Sequence, residues 1–229
     1  YSGKIYFILM LDILDPKSTD LDKLSRIQRK VAEEVIKEDK VGIPDRVAGC
    51  DISFSEGKVA YSACVSFDFP DMEKVESNWE RVEVDFPYIP TFLAFRELKP
   101  MLKTVKGVDA DVYLVDSQGI AHPRRAGLAS HLGVVMDEPT IGIAKSKLHG
   151  GIEGELGSER GSFSYLKDEG EVVGAAVRTR DDTNPVYVSI GHKVSLEKAI
   201  DITLKSSPRY KISEPIRAAH KLASEKMRK

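Results

Sequence analysis

The chain is poor in residues that staple a fold or anchor it to a membrane. Two cysteines in 229 residues exclude a disulfide scaffold or a cysteine-rich zinc module, and this length buries a core without such staples. Cys50 and Cys64 have no metal-ligand spacing and fall in strand-like segments. They read as small buried apolar residues in a reducing compartment. Asparagine and glutamine occur only twice each while lysine and glutamate are plentiful, a bias that accompanies thermal stability. The early apolar run Tyr6 to Leu11, interrupted by Asp12, is too short to span a bilayer, and Lys4 alone makes a poor signal-peptide charge region. Residues 1–12 are therefore expected to be an N-terminal extension or edge strand, and the chain cytoplasmic. Charge of one sign is also lacking. With 34 basic and 36 acidic residues the net charge is −2, which excludes a global positive field. A nucleic-acid partner would need a local footprint, to which carboxylate-bound metals add charge that the count omits.

What is present is the alternation of a mixed α/β domain covering residues 1–229. Leu24, Ile27, Val31 and Val35 predict a helix over 20–39, capped by Ser18 or Thr19 and ended by Gly42-Ile43-Pro44. Strands are predicted over 47–54, 59–69 and 79–86, the first two as a hairpin. A helix over 91–105, a strand over 111–116, a helix over 127–135 and a strand over 141–144 follow. After a glycine-rich loop, 150–161, come strands over 162–166, 172–179 and 186–190, then helices capped by Ser195 and Ser213. The glycine-rich loop lacks the lysine-hydroxyl ending of a phosphate-binding loop. An antiparallel meander feeding helix–strand units sets the first and fourth main strands side by side. Nothing in the apolar pattern is left over for a subunit interface, so a monomer is expected.

Three acids stand out. Asp51 shares a strand face with Val47 and Gly49 and so points into a layer, where an isolated carboxylate is expensive. Asp116 repeats the anomaly at the tip of Val112-Tyr113-Leu114-Val115. Glu97 lies at the edge of the apolar arc of the 91–105 helix, apart from Arg96, Lys99 and Lys103, and Pro100 should bend the helix beside it. Hard oxygen ligands from two strands and one helix suit Mg²⁺ or Mn²⁺, and a cation so held polarises a phosphate and activates water. On spacing alone, buried ion pairs with lysine or arginine explain Asp51 and Asp116 equally well.

Basic groups lie close by. His122, across a Gly119 turn from Asp116, can bind a phosphate, shuttle a proton or ligate a metal; otherwise it is a turn histidine bonded to backbone. Arg124 and Arg125 suit phosphate contacts, or else start a solvated helix. Lys145 ends its strand as Asp116 does and can orient water or offset phosphate charge, or simply pair with an acid. His220 shares a helical face with Ile216, Ala223 and Met227, which reads first as a core histidine. In Pro87-Tyr88-Ile89-Pro90 two prolines bracket an aromatic on a stiff loop, fit to enter a base stack or to pack on its own core.

Together these residues resemble the endonuclease V family of RNase H-like nucleases. The resemblance rests on five stretches in order: 47–54; Pro87-Tyr88-Ile89-Pro90 with Phe95-Arg96-Glu97; Val115-Asp116 with 119–124; 141–146; and 188–192. It implies an RNase H-like fold and a metal-dependent endonuclease. Such an enzyme cuts DNA at the second phosphodiester bond 3′ to deoxyinosine, leaving 3′-hydroxyl and 5′-phosphate ends. By the same resemblance Asp51, Glu97 and Asp116 match the acidic triad that holds Mg²⁺ (or Mn²⁺), and Lys145 and His122 match catalytic positions. His220 matches a position that organises the metal. Tyr88, with Pro87, Ile89 and Pro90, matches the strand-separating wedge, and Leu93, Gly119 and Arg124 are expected to contact substrate. Ser117, Gln118 and Thr91 stand where the family has other residues, glycine at 117 and 91, and they border the expected base pocket. The alternative is an RNase H-like nuclease for inosine-containing RNA, other damaged bases or branched DNA. Further alternatives are a non-catalytic nucleic-acid-binding module and a small-molecule phosphatase.

Overall fold

The computed structural model describes Ile13, residues 19–56 and residues 58–228. Helix α1 (Leu21–Glu34) buries Leu24, Ile27 and Val31, as its spacing predicts. Its cap is Asp20, whose Oδ1 accepts from the amides of Asp22 and Lys23 at 2.9 and 3.3 Å. This corrects Thr19, and Ser18 lies outside the described residues. The helix stops short of Asp39 because Ile36 is tied to a distant strand end. Its amide donates to His192 Nδ1 at 3.2 Å and its carbonyl accepts from the Lys193 amide at 2.7 Å.

Strands β1 (Arg46–Ser55), β2 (Val59–Asp68) and β3 (Lys74–Glu83) form the predicted meander. The third strand begins at Lys74, not Trp79. Val84 and Phe86, whose apolar character drew the later boundary, pack in the connection to α2 (Ala94–Val105). Next come β4 (Val112–Val115), α3 (Leu128–Met136) and β5 (Thr140–Ala144). A two-residue strand, β6 (Gly151–Ile152), interrupts the glycine-rich loop. The chain ends with β7 (Phe163–Asp168), β8 (Glu171–Val177), β9 (Val186–His192), α4 (Leu196–Lys205) and α5 (Glu214–Met227). Ser195 caps α4 through its hydroxyl, whereas the Ser213 hydroxyl makes no capping bond on α5.

The nine strands form one sheet in the order β3-β2-β1-β4-β5-β9-β8-β7-β6. β4 runs parallel to both β1 and β5, and the other pairs are antiparallel. The chain leaves β1 on one side and returns on the other as β4, a crossover of the kind where α/β sheets bind ligands. On one face, Leu24, Leu98 and Leu132 of α1, α2 and α3 cover Ala48, Cys50, Cys64 and Val115. On the other, Ile200, Ile216, Ala219 and Ala223 of α4 and α5 cover Val47, Ala63, Leu114 and Ile141. Gly49 lets α5 seat on β1, since a Cβ there would lie 2.0 Å from the Pro215 carbonyl carbon. Both cysteines are free and buried, as expected. Among the described residues no helix is long and apolar enough to cross a membrane. The expectation for residues 1–12 lies outside the described part.

Candidate active site

The parallel register of β1 and β4 aligns Cys50 with Val115, so the next residues, Asp51 and Asp116, stand level on adjacent strands. The ladder continues through the Asp116 amide, which donates to the Cys50 carbonyl at 3.1 Å. As alternation predicts, Asp51 faces α5, where His220 Nδ1 lies 2.7 Å from its Oδ2. His220 is not a core residue: its side chain is 57% exposed, against 8% for Asp51. Lys145, just past β5, reaches back to Asp116 Oδ2 at 2.5 Å. Glu97 enters from α2 on the opposite face of the sheet.

The charges of these groups bear on one another. Burial, then the charge of Asp116, raises the Asp51 carboxyl above its ordinary value, against the pull of the Ile52 amide, His220 and Lys145. Burial and the charge of Asp51, with Asp116 behind, push Glu97 up to about 7, against Arg96. Burial depresses Lys145, but its bond to Asp116 and the charges of Asp116 and Asp51 outweigh that and hold it protonated. Among the described residues neither aspartate pairs with an arginine. Among the described residues Glu97 makes no ion pair, and no three acidic, histidine or cysteine side chains already stand in ligand geometry. The fit to a divalent cation rests on the donor set. Three mutually repelling carboxylates face one lysine and one histidine, a surplus of negative charge that a hard cation relieves. Asp51, Asp116 and Glu97 would hold it, with His220 orienting Asp51 through Nδ1.

Beside the acids runs the 85–93 loop. Tyr88 is 69% exposed, so its ring is not packed on its own core, while Phe86 and Ile89 turn inward. A cleft of about 530 Å³ lies between this loop and the β1–β2 hairpin, lined by Phe54, Lys58, Tyr88, Arg96 and Glu97 among others. Arg96, expected with Lys99 and Lys103 on the exposed side, is buried instead. Its long stem folds back so that the guanidinium donates to the Phe86 carbonyl at 2.5 Å and covers the Phe54 ring at 4.2 Å.

The loop after β4 departs further from expectation. His122 has backbone partners at both ring nitrogens, the turn-histidine arrangement. Its Nε2 pairs with the Thr91 carbonyl at 2.9 Å, and its Nδ1 accepts from the Arg124 amide at 3.2 Å. Burial, helped by Arg124, lowers it to about 3, so it is neutral near pH 7. Arg124 is likewise committed within the protein, to Gln28 Oε1 and to both oxygens of Thr91, and Arg125 to Asp168 and Glu171. Both arginines, expected at phosphates, thus anchor the loop through partners within the protein. Gly119, expected at the base pocket, donates its amide to Ser189 Oγ at 2.8 Å. A Cβ there would lie 2.0 Å from the Ile190 carbonyl oxygen, so packing against β9 is what requires this glycine. Leu93 is half-buried at the start of α2. Gln28 went unnoticed in the sequence, and Thr91 and Ser189, marked there only as a departure from the family and as part of a matched stretch, gave no sign of these bonds.

Acids brought level by two neighbouring parallel strands, with an exposed aromatic loop beside them, fit a metal-dependent nuclease. Comparison with known proteins makes the class specific. A sequence model described as endonuclease V matches residues 29–221. The endonuclease V of Methanothrix thermoacetophila is 47% identical over 208 residues, 90% of this chain and 92% of that protein. The crystal structure of endonuclease V from Streptomyces avermitilis superposes with a TM-score of 0.87 at 35% identity, over 94% of this chain and 97% of that one. The Ciona intestinalis enzyme, solved with a 24mer DNA containing an inosine followed by a ribo-adenosine, gives 0.81 at 28% identity, over 92% and 99%. The chain belongs to the endonuclease V family, metal-dependent enzymes that cleave 3′ of deoxyinosine in DNA repair.

Proposed function

We propose that this chain nicks DNA at the second phosphodiester bond 3′ to deoxyinosine, leaving 3′-hydroxyl and 5′-phosphate ends, with Mg²⁺ as its cation and Mn²⁺ as a substitute. The observation that carries this is that Asp51 and Asp116 stand level on neighbouring strands, with Glu97 near enough to feel both charges and lining one cleft with the exposed Tyr88. When bound, the cation supplies Lewis acidity, polarising a phosphoryl oxygen and easing ionisation of water. The protein's own groups do the rest. His220 fixes the Asp51 carboxylate through one oxygen. Lys145, protonated and half-exposed, offers its charge to the phosphate as negative charge builds there. The target nucleotide leaves the stack, and Tyr88 fills the gap behind it. The enzyme works as a monomer, and in the cytoplasm, a compartment that two free, buried cysteines fit.

A second reading, cutting of inosine-containing RNA, draws support from the ribo-adenosine after the inosine in the Ciona complex. One experiment tests both. End-labelled oligonucleotides carrying a single inosine, uracil, xanthine, mismatch or flap, in deoxyribose and ribose forms, are incubated with Mg²⁺ or with EDTA. Mg²⁺-dependent product one nucleotide longer than the inosine position, from deoxyribose strands, supports the proposal. Cutting of ribose strands alone favours the second reading, and cutting that ignores inosine rejects both.

A further inference from the structure

The loop that carries Tyr88 stands on two feet, and each is gripped by an arginine stacked on a phenylalanine. At its entry Arg96 holds the Phe86 carbonyl and lies over Phe54. At its exit Arg124 donates to the Thr91 carbonyl at 2.9 Å and to the Thr91 hydroxyl at 2.7 Å, and lies 4.1 Å from the Phe92 ring centre. Gln28 Nε2 and His122 Nε2 reach the same carbonyl, each at 2.9 Å. Gln28 also accepts from Arg124 Nε.

A carbonyl oxygen has two lone pairs, so three side-chain donors exceed what satisfaction requires. The backbone explains the surplus. Thr91 has φ +66°, a left-handed conformation that a β-branched residue keeps only where its surroundings over-determine it. The donors come from α1 and from the segment following Asp116. The conformation of Thr91 therefore ties the Tyr88 loop to the flank of the acid cluster. His122 is neutral and accepts at Nδ1, which leaves its one proton at Nε2 for Thr91.

We infer that Thr91, with Gln28, His122 and Arg124 converging on it, is a positioning residue that keeps the Tyr88 arch stiff enough to part a duplex. The inference rests on the reading of Tyr88 as a wedge. A slack arch still admits a strand that is already single, but it cannot force two paired strands open. Rigidity at Thr91 should therefore govern the ratio of duplex to single-strand cutting, which a merely structural residue would leave alone.

The test measures initial cutting of one inosine oligonucleotide, single-stranded and in duplex, at sub-saturating concentration with Mg²⁺, alongside thermal melts. Gln28→Ala removes the donor that comes from α1, and Arg124→Lys removes the two-pronged grip. Each is expected to lower the duplex-to-single-strand ratio about tenfold, as Tyr88→Ala does. Thr91→Gly, which keeps the gripped carbonyl and takes a positive φ without strain, should hold the wild-type ratio. An unchanged ratio in Gln28→Ala and Arg124→Lys, with a reduced one in Tyr88→Ala, overturns the clamp and leaves the wedge standing. A wild-type ratio in Tyr88→Ala overturns the wedge and the clamp with it. If Arg124→Lys does not fold, Gln28→Ala decides the matter.

Discussion

Replacing Gly49 by alanine should damage the active site from beneath. The added Cβ would lie 2.0 Å from the Pro215 carbonyl carbon and 2.3 Å from the Ile216 nitrogen. Carbon–carbon contact is comfortable only at about 3.5 Å or more, so α5 must retreat by about 1.5 Å. His220 lies roughly 7.5 Å further along the same helix, close enough that a stiff α5 carries the imidazole with it. The 2.7 Å contact with Asp51 then opens beyond hydrogen-bonding distance. Overpacking of this kind costs about 1–3 kcal/mol, or a fall in Tm of roughly 2–12 °C for a chain of this size. A misplacement near 1 Å at a reacting centre costs about a hundredfold in rate. Thermal melts and initial rates on an inosine oligonucleotide at saturating Mg²⁺ measure both. Gly42→Ala is the control, because no atom lies within 4 Å of a Cβ there. A Gly49→Ala protein with wild-type Tm and rate would refute the seating of α5 on β1.

Other outcomes follow from the charges. His122 and His131 are held neutral by burial, at about 3 and about 4 against an ordinary 6.5. Below pH 6.5 the unfolded chain binds their protons and the folded one does not, so the stability they contribute above 6.5 is lost as pH falls toward those values. His131→Phe should flatten the acid side of a urea-stability profile by about 1.4 kcal/mol per pH unit between 6.5 and 4.5, and a parallel profile contradicts this. Glu97 has the opposite sign. Raised to about 7, it weakens the metal-free fold as pH rises from 4.5 through 7, by up to about 3 kcal/mol. Glu97→Gln should therefore raise the metal-free Tm at pH 8 while abolishing Mg²⁺-dependent cutting, and a lower Tm would count against the repulsion among the acids. Lys145→Gln should slow cutting about a hundredfold yet leave oligonucleotide binding in place in a gel-shift assay. Weakened binding with undiminished turnover would contradict the role given to Lys145.

The acids were legible in the sequence because a carboxylate inside an apolar strand violates a local rule. Alternation alone sent Asp51 toward a layer, and a parallel neighbour strand was enough to bring Asp116 level with it. Lys145 was legible from its place at a strand end. The loop anchors were not, because their bonds span distances that no periodicity records. Arg124 reaches Thr91 across 33 residues and Gln28 across 96, and Gly119 meets Ser189 across 70. Arg96 misled for a related reason. A helical wheel assigns its Cα to the charged side, but its stem is long enough to carry the guanidinium under the Tyr88 loop. His220 shares a wheel face with Ala223 and Ile216, yet faces the Asp51 carboxylate of β1 rather than core.

The central claim is that Asp51, Asp116 and Glu97 act together on a divalent cation to cut a phosphodiester bond. Asp51→Ala tests it most directly, assayed for Mg²⁺-dependent nicking and for binding to an inosine oligonucleotide in the same preparation. The account predicts that nicking disappears while binding stays largely intact, since Tyr88 and its anchored loop are untouched. A purified Asp51→Ala protein that nicks with the wild-type dependence on Mg²⁺ would contradict it.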